Sequence, residues 1–153
     1  MRFYRGVPTG DEKPAEAAED ETKNMAEMAT NGETGVQGAL TRLVDGVQGA
    51  IGVALVDLDG GFTLGTAGSD ELDLELAGAG CLDVVQAKIR LLQQLGLEDQ
   101  IEDILITLGK QYHLIRRLGD NATLYLYLAI ARDRGNLGLA RHQLRALEAE
   151  IDI

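Results

Sequence analysis

The stretch Ile104–Ala131, ILITLGKQYHLIRRLGDNATLYLYLAIA, decides how this chain folds. It reads as three strands. Ile104–Leu108 and Gln111–Leu118 are apolar, branched runs separated by Gly109-Lys110, the length of a tight hairpin turn. Gly119-Asp120-Asn121 turns the chain again. Ala122–Ala131 then alternates cleanly. Leu124, Leu126, Leu128 and Ile130 fall on one face, and Tyr125, Tyr127 and Ala129 on the other.

Upstream lies a second hairpin. Ala50–Asp57 (AIGVALVD) reads as a buried strand, Asp59-Gly60-Gly61 as a turn and Phe62–Thr66 as a short partner strand. Before it, Ala39–Val47 spaces Leu40, Leu43, Val44 and Val47 as an amphipathic helix stopped by Gly49. After it, Ser69 or Asp70 is positioned to cap a long helix over Leu72–Leu95, with Gly96 as its terminator. A last helix, Asn136–Glu150, carries Leu137, Ala140, Leu144 and Leu147 as its apolar stripe. The order is helix, two strands, helix, three strands, helix. Hairpin and meander predict an α+β domain, a five-stranded antiparallel sheet with helices packed on a face.

The long helix is too apolar for one sheet face. Leu74, Cys81, Leu82, Val85, Ile89 and Leu92 fall on one side, and Ala77, Val84, Leu91 and Leu95 beside them. That arc spans roughly half the circumference, which predicts a second buried surface, most simply a subunit interface.

Composition narrows the function. The 153 residues suffice for one domain with its own core. Residues 1–34 read as an acidic, flexible tail, with eight acids against four bases and, over Gly10–Thr34, apolar content that is mostly alanine plus Met25 and Met28. The domain then runs over 35–153. The formal charge of −11 disfavours nucleic acid and anionic membranes as partners. Aromatics are 4% with no Trp, which argues against a base-stacking platform. No apolar run reaches the ~18 residues needed to span a bilayer. A single cysteine, Cys81, and a start without an apolar leader segment lead to the expectation of a reducing, cytoplasmic setting.

Catalytic and cofactor signatures are absent from the pattern. Gly109-Lys110 sits in a hairpin turn and not before a helix, so it does not make a phosphate loop. His113 falls mid-strand, His142 mid-helix and Cys81 on an apolar arc, with no spacing that joins them as metal ligands. Asp57-Leu58-Asp59 reads as turn chemistry. Ser69 is the only serine. The expectation is a non-catalytic protein without cofactor or metal. Six of the domain's ten bases are Arg116, Arg117, Arg132, Arg134, Arg141 and Arg145. Of these, Arg132, Arg134, Arg141 and Arg145 are the candidate surface for an acidic protein partner, since guanidinium pairs bidentately with carboxylate.

The segment from Gly46-Val47-Gln48-Gly49-Ala50-Ile51-Gly52 into VALVDLDGG, the ending ARDRGNLGLARHQLRALEAEI (Ala131–Ile151) and QIEDILITLGKQYHLIRRL (Gln100–Leu118) resemble the Roadblock / dynein-light-chain domain, in its bacterial form. The resemblance covers roughly Val36–Ile151. Profilin-like and longin-like domains share much of this layout. The resemblance implies a homodimeric scaffold without catalytic residues. Two subunits would pair through the strand Ile101–Leu108 and the helix Leu72–Leu95, giving one ten-stranded sheet that offers a surface to a small Ras-like GTPase or a motor or signalling complex. Some bacterial relatives speed GTP hydrolysis by their partner without supplying an arginine finger. On this sequence the interface would use Leu82, Val85, Ile89, Leu92, Ile101, Ile104, Ile106 and Leu108. A small-molecule sensor is the competing reading, weakened by the few polar groups available to orient a ligand.

Overall fold

The computed structural model describes residues 35–119 and 123–150. The tail at 1–34, Ala122 and residues 151–153 lie outside them. The elements are α1 (Val36–Gly46), β1 (Ala50–Asp57), β2 (Phe62–Gly68), α2 (Leu74–Gln94), β3 (Asp103–Thr107), β4 (Gln111–Arg117), β5 (Leu124–Ala131) and α3 (Leu137–Glu150). The five strands form one antiparallel sheet in the order β2-β1-β5-β4-β3.

The helices cover both faces of the sheet and not one. The reason is β5, which is central and buried along its whole length. Leu124, Leu126, Leu128 and Ile130 join Val53 and Leu55 of β1 under α1 and α3. Tyr125, Tyr127 and Ala129 join Ala54 and Val56 of β1 under α2. A strand with two apolar faces needs a layer on each side, so the molecule is helix pair, sheet, helix.

Local signals set most boundaries. α1 begins at Val36, a turn before Ala39, because Ala39 N donates to Gly35 O at 3.0 Å. It ends as Val47 becomes extended. Gly49, at φ 80°, then turns the chain into β1; a Cβ there would lie 2.8 Å from Gly135 N. The cap of α2 is Asp73, whose Oδ1 accepts from Leu76 N at 3.1 Å. Ser69 instead closes a local turn by accepting from Glu71 N, and Asp70 precedes the helix, so neither caps it. Gly96, at φ 70°, terminates α2, and Asn136 Oδ1 caps α3 by accepting from Leu139 N at 3.0 Å. The β3–β4 hairpin closes with Leu108 N donating to Gln111 O at 2.8 Å around Gly109-Lys110.

The helix α2 packs closely on the sheet at Gly78. A Cβ at that position would stand 2.8 Å from Val56 Cγ1 and 3.0 Å from Ala54 Cβ. The expected outcome for Gly78→Val is therefore a loss of about 1–3 kcal/mol in urea unfolding. An unchanged midpoint would show that α2 can lift off without cost.

Candidate interaction surface

The helix α2 is about 31 Å long at 1.5 Å per residue, and only its first half is seated. Leu74, Gly78, Cys81, Leu82 and Val85 are buried against β1 and β5. Beyond them Ile89 and Leu92 are half-buried. Val84, Leu91 and Leu95 are 41%, 42% and 59% exposed. This flank looks across an open groove to the same-face residues of β3 and β4, namely Ile104, Ile106, His113 and Ile115. The groove encloses a cavity of about 210 Å³ lined by Ala77, Gly80, Cys81 and Val84 on one wall and Ile106, Ile115 and Tyr127 on the other. No other atom lies within 4 Å of the position a Cβ would take on Gly80.

The eight residues assigned to an interface therefore divide. Leu82 and Val85, at 4% and 0% exposure, are spent in the chain's own core, because they lie on the arc that meets the sheet. Ile89 and Leu92 sit on that arc past the end of its seat. Ile101, Ile104 and Ile106 are half-buried on the open side, and Leu108 is exposed. The strand β3 is one of the sheet's two edges, with β4 as its single neighbour, and β2 is the other. Ala77, Val84, Leu91 and Leu95, the rest of the wide apolar arc, lie on the outer flank of the helix together with Gly80.

The four candidate arginines are not one patch. Arg141 lies across from Asp103, Nε to Oδ2 at 3.1 Å and Nη2 to Oδ1 at 3.3 Å. The same carboxylate stands 3.6 Å from Arg116 Nη1, and Arg116 Nε donates to Glu148 Oε1 at 2.6 Å. Two arginines and two acids thus close a neutral, part-buried cluster tying β3 and β4 to α3. Glu148 serves Arg116, not Arg145 one turn before it. Arg132 donates to Leu108 O at 2.9 Å and lies over the Tyr112 ring, holding the β3–β4 turn. Arg134 is exposed beside Asp133 at 3.7 Å, and Arg145 is exposed on α3.

Titratable groups in the groove are held neutral by burial. The Cys81 thiol is pushed up to about 12. The Tyr127 hydroxyl is likewise pushed up to about 12, first by burial and then by Cys81. His113 is lowered from its ordinary value by burial. Among the described residues no group of three or more His, Cys, Asp or Glu could hold a metal ion. No described helix is long and apolar enough to cross a membrane.

No family model and no curated protein matches the chain by sequence. Solved structures match it clearly by shape. MglB from Myxococcus xanthus superposes with a TM-score of 0.65 at 20% identity, over 74% of this chain and 89% of that one. A Roadblock/LC7 domain from Streptomyces avermitilis gives 0.65 at 13%, over 74% and 91%. An MglB with a tetrameric arrangement gives 0.60 at 18%, over 74% and 85%. At these identities the likeness establishes the fold, and it is the Roadblock/LC7 fold that the sequence resembled.

With its thiol near 12, Cys81 is ionised to about one part in ten thousand at pH 8. We expect a thiol reagent to label it at least ~100-fold more slowly in the native protein than in urea, since only the thiolate reacts. Comparable rates would mean that the groove opens and α2 lifts.

Proposed function

We propose that the chain is a non-catalytic, homodimeric regulator of a small Ras-like GTPase, acting in the cytoplasm, and that the groove beside α2 is where its second copy sits. The observation that carries the self-association is an apolar helix flank and a free strand edge on the same side of one sheet. Each is a liability in an isolated chain. One contact removes both. Two β3 edges joined antiparallel about a two-fold axis keep the sheet faces aligned, so both α2 helices lie on one face, flank toward flank. Gly80 supports the same arrangement. A glycine inside a helix costs roughly 1 kcal/mol against alanine, and nothing among the described residues crowds this one. A backbone approaching closely from a second helix would.

The tetrameric arrangement of a protein with this fold is consistent with assembly through repeated contacts. The GTPase partner rests on the family resemblance, as does the proposal that the protein promotes GTP hydrolysis. The groove's lining offers few polar groups to orient a ligand, which disfavours a sensor role there.

Light scattering on a sizing column at micromolar concentration tests the dimer. The wild type should run at twice the chain mass. Leu91→Glu should run as a folded monomer, because Leu91 is already solvent-exposed in the single chain. Ile104→Lys should weaken the dimer through the strand edge. A monomeric wild type, or both variants fully dimeric, would overturn the assignment. For the partner, GTP-loaded small GTPases would be assayed for retention and for hydrolysis with the dimer. If the arginines here supply no finger, Arg134→Ala and Arg145→Ala leave any stimulated rate within about twofold, against the ~10³-fold loss that removing a finger causes.

A further inference from the structure

His113 lies on the floor of the groove, paired across the sheet with Ile106 of β3 and Ala129 of β5. Both its ring nitrogens are engaged. Nε2 lies 2.8 Å from Gln111 Oε1, an acceptor, so Nε2 carries the proton. Nδ1 is then the acceptor and takes the Tyr127 hydroxyl proton at 3.2 Å. The two rings meet edge-on, with centroids 5.2 Å apart. One neutral tautomer satisfies both ring nitrogens and the Tyr127 hydroxyl.

A second proton breaks that arrangement. Nδ1 would become a donor, the Tyr127 oxygen would have to accept, and the hydroxyl proton would lose its acceptor in a wall of Cys81, Val84, Ile106 and Ile115. No carboxylate lines this cavity to offset an imidazolium. From α2 the titratable neighbour is Cys81, and from β5 it is Tyr127, both neutral. The strand β3 offers only isoleucines on this face. On β4 itself the charge on the same face is Arg117, whose guanidinium bonds Ile101 O and Gly119 O. Lys88 adds a further cation in the adjoining depression, where Asp99, Glu102 and Asp103 also lie. In the single chain the charged ring depends on water entering the open groove.

We propose that His113 makes this groove a proton-gated interface, on which a second copy of the chain seats only while the imidazole is neutral. This rests on the dimer reading above. A second α2 laid over the groove displaces the water that would solvate the imidazolium, so the assembled protein binds this proton less tightly than the separated chains do. Proton uptake and association then compete. Burial already lowers His113 below 6.5 in the single chain, and seating lowers it further. Association is therefore at full strength above that value and is lost as pH falls through the single-chain value. With one His113 per subunit, dissociation takes up two protons, and the dissociation constant rises by up to ~100-fold per pH unit in that range.

The test is the dissociation constant of the full chain by sedimentation velocity, at about pH 7.5 and at about one unit below the His113 midpoint that NMR gives for the dilute single chain, for the wild type and His113→Gln. The wild type should weaken at least ~10-fold at the lower pH, and the variant less than ~2-fold. A wild-type dimer of equal strength at both values overturns the gate and leaves the dimer standing. Equal weakening in wild type and variant also overturns it, by assigning the effect to other groups. A wild type monomeric throughout overturns the dimer and the gate together. Should the variant fail to fold, ring-proton titration of the wild type decides by NMR. The His113 midpoint should fall when the protein is concentrated above its dissociation constant. An unmoved His113 midpoint overturns the proposal.

Discussion

Everything in this molecule follows from a strand that is apolar on both faces. β5 places leucine and isoleucine on one side and tyrosine and alanine on the other, and all eight of its residues are buried. A strand like that cannot sit at an edge or face water. It takes β1 and β4 as neighbours, pushes β2 and β3 outward to the rims, and demands a helical layer above and below. Each buried leucine or isoleucine there is worth roughly 1.5–3 kcal/mol, so the four on the α1/α3 side outweigh any single polar contact described.

The long helix is where that demand is met incompletely. β5 and β1 need cover only over their own width, and α2 supplies it with its first three turns. The remaining turns run on over the open side of β4 and β3, half-seated. The exposed flank is thus not a defect of packing. It is the part of the helix for which the described residues provide no counterpart.

The fold was legible because its signals are local. The alternation of residues 122–131, the two-residue hairpin turn and the helical spacing of leucines each lie within one element, and the element order follows from them. The width of the apolar arc on α2 announced a second surface but not which residues face it. Leu82 and Val85 are as apolar as Val84 and Leu91, and only the direction in which the sheet lies separates them. The arginines show the same limit more sharply. Their partners are 32 and 38 residues away in sequence, so nothing near Arg116 or Arg141 reveals that Glu148 and Asp103 already occupy them. His113 is a lone histidine in a strand; its one sequence signal is Gln111 two residues earlier on the same face.

Because the sheet is a continuous partition, the two cores share no side chain. Substitutions under α1 and α3 and substitutions under α2 therefore act nearly independently in free energy, as distant sites do. The consequence is a freedom to diverge. A lineage carrying this architecture can rework one face for a new association while the other keeps its contacts, and the central strand, which belongs to both, is the part least free to drift.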